Sequence, residues 1–313
     1  DYVIMGFAPS LVWLFVGRMI AGVAAATFAT ANAYIADISA PEDRAKNFGR
    51  MGAAWGLGFI IGPVIGGLLG GFGPRVPFFV AAGLGLVNAV YGLLVLPESL
   101  PRERRRPFSW KRATVVGSFQ QMSRIPLIGG LFVVAALYYV GHDSLPSTWT
   151  YYTMFKLDWD ERMVGLSMGA VGIGTALVQG GLVGMMIARL GERRAVVVGF
   201  ALLALGFVGF STASSTWQMF AWIVPFSLGG IAMPALRSIL TRKVPDDAQG
   251  ELQGALTSLA SLTAIVAPVF MTQVFYVFSS DTAPIHFPGA PFLTAGLLVV
   301  GSLLLFLRAS RRT

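Results

Sequence analysis

The chain alternates between long apolar runs and short polar breaks. Nine stretches carry enough apolar residues to cross a bilayer: 11–35, 49–71, 77–96, 126–148, 163–188, 195–213, 217–240, 252–278 and 290–308. A hydrocarbon core of about 30 Å needs about 20 such residues per helix. Residues 1–8 read as the outer end of one further helix. The runs mostly lack the polar face of a soluble amphipathic helix. They also lack the strict two-residue alternation of membrane β-strands. The pattern predicts an all-α, multi-pass membrane protein.

Composition sharpens this. Hydrophobic residues make up 55% of the 313 and charged residues 12%, with mean hydropathy +0.69, where a soluble domain carries about 25% charge. The 38 Gly and 17 Pro suit membrane helices. The absence of Cys excludes a disulfide framework and thiolate metal sites.

Charge sets the orientation. Of the 23 Lys and Arg, eighteen fall in segments 36–50, 97–125, 189–194, 241–250 and 308–313. Three fall in the alternating segments, and Arg18 and Arg237 lie inside spans. The positive-inside rule places the 97–125 linker and the C-terminus in the cytoplasm, in the cell membrane. The net charge of +8 is then topological, and the run Arg102, Arg104, Arg105, Arg106 reads as an inner-leaflet anchor rather than a nucleic-acid patch.

The chain also repeats itself. Trp13 to Pro41 spans 28 positions, as does Trp217 to Pro245, and Gly49 to Pro63 spans 14, as does Gly254 to Pro268. Parallel halves joined by a long cytoplasmic linker are a transporter architecture. The expected domains are 1–96, the remainder of an N-terminal bundle; 97–125, a basic linker; and 126–313, a six-helix C-terminal bundle. The offset predicts that roughly 80 residues precede Asp1 in the natural protein, and that the chain does not transport without them.

Several residues carry candidate chemistry. In span 49–71, Gly58, Gly62, Gly66 and Gly70 fall every fourth residue, beside Gly67, on a face where another backbone can approach. Pro63 in the same string removes a backbone donor and favours a kink. Arg18 lies about 10 Å inside its span, and a guanidinium there marks either a pathway or a fixed ion pair. Asp1, on the preceding helix, is its candidate partner. His142 and Asp143 form an ionisable pair in span 126–148, suited either to proton exchange or to the outer headgroup level. Arg189, Gly191 and Arg193 lie in the tight turn of Gly184–Arg194. Asp37 and Arg44 flank a Ser39/Glu42 capping box in an earlier loop. These two loops are candidates for a cytoplasmic gate or for ordinary solvated turns. Asn32, Thr175, Gln179 and Ser258 are polar residues within spans and candidates to line a cavity. No catalytic motif, phosphate-binding loop or metal cluster is present in the sequence, which argues against an enzyme or a bound cofactor.

These motifs resemble the major facilitator superfamily, and within it the drug:proton antiporters. Gly58–Gly67 resembles the antiporter signature of the fifth helix, Arg18-x-x-x-Gly22 the fourth-helix motif, and Gly184–Arg194 the second-half loop signature. Ile35–Asp37 through Gly67, and Gly229–Leu236, are similar to the tetracycline-resistance efflux subfamily. The resemblance implies a twelve-helix major facilitator fold of two bundles, with about ten helices in this chain. It implies alternating access by a monomer in the bilayer, exporting a small amphipathic molecule as protons enter, with the proton gradient as driving force and no cofactor. Asp1 then corresponds to a third-helix acid and Arg18 to a fourth-helix arginine that couples proton and substrate. The His of the subfamily's eighth helix and the acid of its ninth have no counterpart in Gly172–Thr175 and Phe200–Leu203. His142 and Asp143 are the candidates to replace them. The competing expectation is a symporter or facilitator for a small metabolite.

Overall fold

The computed structural model describes residues 1–23, 31, 34–35, 38, 44–99, 126–243, 249–280, 282–283 and 285–310. Among these the secondary structure is helical, with no strand. The helices are α1 (Tyr2–Phe7), α2 (Leu11–Val23), α3 (Arg44–Gly70), α4 (Val76–Val95), α5 (Pro126–His142), α6 (Ser144–Leu157), α7 (Glu161–Leu177), α8 (Val183–Leu190), α9 (Glu192–Thr212), α10 (Thr216–Gly229), α11 (Ala232–Lys243), α12 (Gln249–Ser279) and α13 (Ala290–Ala309). A π-helical turn, Val178–Leu182, joins α7 to α8.

Six described helices are long and apolar enough to cross a membrane: Val76–Val95, Glu161–Leu190, Glu192–Thr212, Thr216–Lys243, Gly254–Ser279 and Ala290–Ala309. Two shorter apolar helices, Leu11–Gly22 and Gly56–Gly70, fall in expected spans. The expected span 126–148 is divided at Asp143 between α5 and α6, so neither piece reaches full length. Large apolar side chains stand on the outer faces, such as Leu84, Leu93 and Leu94 of α4 and Leu297 and Leu304 of α13. Such exposed leucines suit acyl chains, which are as apolar as leucine itself.

The chain forms two compact units. The first comprises Asp1–Phe108 with Asp160–Gly169. Within it, Gly6 lets the Phe79 ring lie against α1, where an added Cβ would come within 2.6 Å of Phe79 Cε1. Phe7 packs edge-on to the same ring at 4.9 Å. Arg75 donates to the Ala8 carbonyl at 3.1 Å, satisfying an acceptor that the end of α1 leaves open. The first turns of α7 cross α3 at glycine. A Cβ on Gly67 would sit 2.6 Å from the Glu161 oxygen and 2.8 Å from Gly165 Cα, and one on Gly165 would sit 2.7 Å from the Pro63 oxygen.

The second unit comprises Ser109–Trp159 with Ala170–Thr313, and is built around α9. Phe200, Phe207 and Phe210 of α9 are fully buried. Its glycines admit neighbours at close range: Gly199 meets Ala232, Gly206 meets Phe226 and Gly209 meets the Trp222 ring. An aromatic cluster of Trp149, Tyr152, Phe210 and Phe292 closes one end. The Tyr152 hydroxyl donates there to the Phe210 carbonyl, and Trp159 Nε1 to Thr216 Oγ1 at 3.0 Å.

Candidate functional site

In hydrocarbon every backbone polar group needs an internal partner, so a helix breaks only where something else supplies one. The second unit carries three such interruptions, and proline places two of them.

The first lies between α5 and α6. Pro146 has no N–H to offer the His142 carbonyl, and the helix is interrupted at Asp143. Hydroxyls take up neighbouring acceptors: Ser144 donates to the Gly141 carbonyl at 2.7 Å, and Ser147 to that of Asp143. The second is the π turn, in which the Val183 N–H reaches back to the Val178 carbonyl. Such turns add one residue to the helix and recur at functional sites. The third separates α10 from α11 at Gly230–Ile231, where three-residue bonds run from Gly230 N to Ser227 O (3.0 Å) and from Ile231 N to Leu228 O (3.3 Å).

The second and third interruptions meet. Pro234 cannot donate to the Gly230 carbonyl, which a continuous helix would require. Gln179, from the π turn, donates to it instead at 3.2 Å. The expected cavity residue Gln179 therefore completes the α10–α11 break. Close by, Gly174 leaves room for Ser227, whose buried hydroxyl has no hydrogen-bond partner among the described residues.

At the first interruption, His142 lies between two rings. It stacks on Tyr138 at 5.5 Å and 28°, and on Phe226 of α10 at 6.1 Å and 24°. Asp143 follows it, and its carboxylate accepts no hydrogen bond from the described residues. One turn back on α5, the Tyr139 hydroxyl accepts a bond from Arg237 of α11 at 3.0 Å. The span pattern alone marks Arg237 as a cation inside a membrane segment. It gives no sign of a partner 98 positions away.

The remaining candidates sit elsewhere. Asp1 precedes α1, and its carbonyl accepts from Met5 N at 2.9 Å. Arg18 is exposed on α2 and donates to Met5 Sδ at 3.1 Å. Among the described residues no ion pair joins it to Asp1, although the helices touch where Gly17 lies 3.5 Å from the Asp1 oxygen, measured from an added Cβ. Among the described residues, a Cβ on Gly58, Gly62 or Gly66 meets nothing within 4 Å. The close contacts of α3 with α7 run through Pro63, Gly67 and Gly70, the last of these a member of the four-residue series. Thr175 is half-buried without a hydrogen bond to the described residues, and Ser258 donates to Gly254 of its own helix at 2.8 Å. Asn32 and Asp37 lie outside the described residues, as do Ser39 and Glu42 and the side chain of Arg44.

At the tight turn, Gly191 takes φ 76°, a left-handed value that favours glycine. Arg193 lines a cavity of about 460 Å³ there with Glu192 and Lys243, and Arg189 is exposed. The paired acid of this turn is Glu192, which accepts from Ser238 at 2.6 Å and bridges to Arg242 at 3.1 Å. Among the described residues no group of acids, His or Cys is arranged to hold a metal.

The profile of the Major Facilitator Superfamily matches residues 2–156 and 131–313. The chain belongs to the major facilitator superfamily. Within it, the chain is 39% identical over 282 residues to the class C tetracycline resistance protein of Escherichia coli, covering 90% of this chain and 71% of that one. It is 35% identical to the class G protein of Vibrio anguillarum, covering 88% and 70%. Among solved structures it is similar to the human organic anion transporter MFSD10 (TETRAN), with TM-score 0.66 and 22% identity over 97% of this chain and 73% of that one. That likeness concerns the fold. The chain is thus a multi-pass membrane transporter of the superfamily and not an enzyme, as its sequence pattern implies.

Proposed function

We propose that this protein is a proton-coupled antiporter that exports tetracycline-like or other amphipathic drugs across the cytoplasmic membrane by alternating access. The observation that carries this reading is the 39% identity to a tetracycline resistance protein along nine-tenths of the chain. Two bundles, residues 1–96 and 126–313, work as a monomer around a basic linker that faces the cytoplasm together with the C-terminus.

The second bundle supplies its own proton site. Asp143 sits at a helix interruption with its carboxylate free of hydrogen bonds from the described residues, and His142 is held flat between Tyr138 and Phe226. A carboxylate within a membrane segment is costly while charged. A proton arriving from outside neutralises it, and release to the cytoplasm restores the charge. Asp1 and Arg18 serve the first bundle in the same way. Among the described residues Arg18 meets no carboxylate, and it takes one when its helices move. Asp37 and Arg44 in one loop, and Arg189, Gly191 and Arg193 in the other, form the cytoplasmic gate.

The test is tetracycline uptake into everted membrane vesicles carrying the full-length protein, under an imposed pH gradient. His142→Ala with Asp143→Asn should abolish gradient-driven uptake while downhill exchange persists. Unchanged proton-driven uptake in the double variant removes these residues from coupling. Uptake that follows the opposite gradient makes the protein a symporter.

A further inference from the structure

We propose that Arg237 and Tyr139 form a ligand subsite that binds the acidic group, a carboxylate or an enolate, of the exported amphiphile. The inference deepens the exporter reading and rests on it for the ligand's identity.

Ser238, next to Arg237, bonds Glu192 at the first residue of α9, so this part of α11 lies level with a helix end. Leu131 of α5 lines the same cavity as Glu192. Tyr139 is eight residues further along α5, about 12 Å at 1.5 Å per residue. The Arg237 guanidinium bonds that tyrosine at 3.0 Å. It therefore reaches away from the helix ends and into the span. An arginine that served only as an interfacial anchor would extend its head the other way, toward water.

A cation inside a membrane segment needs a counter-charge. Arg237 is exposed, its bond goes to a neutral phenol, and among the described residues no carboxylate lies within ion-pair distance. A guanidinium has five N–H donors in a planar fork, which matches a carboxylate or enolate through two parallel bonds. Tyr139 fixes the fork's position, and among the described residues most of its donors stay open. Tyr139 is itself held edge-on against Tyr138 at 5.5 Å.

Asp143 follows Tyr139 by one turn, its N–H bonding the Tyr139 carbonyl at 2.9 Å. A cation bonded to Tyr139 and an acid one turn beyond Tyr139 suit a ligand that carries one acidic group beside a basic or proton-bearing one. They disfavour a dianion.

The experiment measures binding, without a gradient, to the full-length protein in phosphatidylcholine nanodiscs. The probes are a fluorescent fluoroquinolone carboxylic acid and its methyl ester. The wild-type protein should bind the acid about tenfold more tightly than the ester, as expected for a charge-assisted pair. Arg237→Gln should bring that ratio to about one, Arg237→Lys should keep part of it, and Tyr139→Phe should reduce it about threefold. Equal binding of acid and ester by the wild type overturns the subsite, as does a ratio that survives Arg237→Gln. Where the glutamine variant binds neither probe, the lysine and phenylalanine variants decide, and an unchanged ratio in both overturns the proposal. Adding phosphatidylglycerol to the nanodiscs separates a second source of the anion: a preference for the acid that vanishes assigns Arg237 to a lipid phosphate and overturns the subsite. Because no gradient is used, a protein that binds the acid through Arg237 but fails to export refutes the exporter reading and leaves the subsite standing.

Discussion

Adjacent glycines in α3 should respond oppositely to one methyl group. Among the described residues a Cβ on Gly66 meets nothing within 4 Å, whereas one on Gly67 would lie 2.6 Å from the Glu161 oxygen and 2.8 Å from Gly165 Cα. Both of those atoms are backbone, so relief requires moving a helix rather than turning a side chain. Forcing a methyl into a packed interior costs about 1–3 kcal/mol. Replacing glycine by alanine in a helix also returns up to about 1 kcal/mol in propensity. That gain is common to both variants and cancels in their comparison. Gly67→Ala should therefore be less stable than Gly66→Ala by about 1–3 kcal/mol, a factor of roughly 5 to 150 in the unfolding equilibrium. Gly165→Ala, which would place its Cβ 2.7 Å from the Pro63 oxygen, should behave like Gly67→Ala. Equilibrium unfolding in mixed micelles, followed by tryptophan fluorescence, measures the difference. Equal stability of the Gly66 and Gly67 variants would refute the close crossing of α3 and α7. A less stable Gly66 variant would restore the face that the four-residue spacing suggests.

Other consequences are smaller or more local. Gln179→Leu leaves the Gly230 carbonyl without its donor, and losing a bond to a buried or lipid-facing acceptor costs about 1–3 kcal/mol in the same unfolding assay. Pro234→Ala in that background supplies an N–H for the carbonyl and should recover part of the loss. Gly191→Ala forces an alanine to φ 76°, which should cost about 1–3 kcal/mol and slow transport by disturbing the turn. Glu192→Gln keeps the Ser238 bond but removes the charge that Arg242 meets at 3.1 Å. Arg242 is largely exposed, so the change should stay below about 1 kcal/mol.

Much of the fold is legible in the sequence because lipid constrains it so strongly. The runs 195–213, 217–240 and 290–308 appear as Glu192–Thr212, Thr216–Lys243 and Ala290–Ala309, since only a helix of that length satisfies its backbone across a bilayer. The interruptions are harder to read. Pro146 and Pro234 are visible, but which side chain answers the freed carbonyl depends on a neighbour such as Gln179, 51 positions from Gly230. The π turn at Val178–Leu182 is an insertion of one residue, below what a hydropathy window detects. The glycine contacts are hard to read for a similar reason. Gly66 and Gly67 are adjacent, so a spacing of four fits Gly58, Gly62 and Gly66 without revealing that the partner helix meets Gly67. Arg18 and Asp1 share neighbouring helices as expected, yet the guanidinium bonds Met5 instead of the acid. Adjacency of elements follows from sequence, whereas rotamer and partner choice follow from packing.

The most direct measurement of the account is proton movement during export. Everted vesicles holding the full-length protein and a pH-sensitive dye are charged with a pH gradient and then given tetracycline. Tetracycline should dissipate the gradient as it enters the wild-type vesicles, and vesicles with His142→Ala and Asp143→Asn should show no such flux. Tetracycline uptake with no proton flux in the wild type, or equal flux in the double variant, would contradict it.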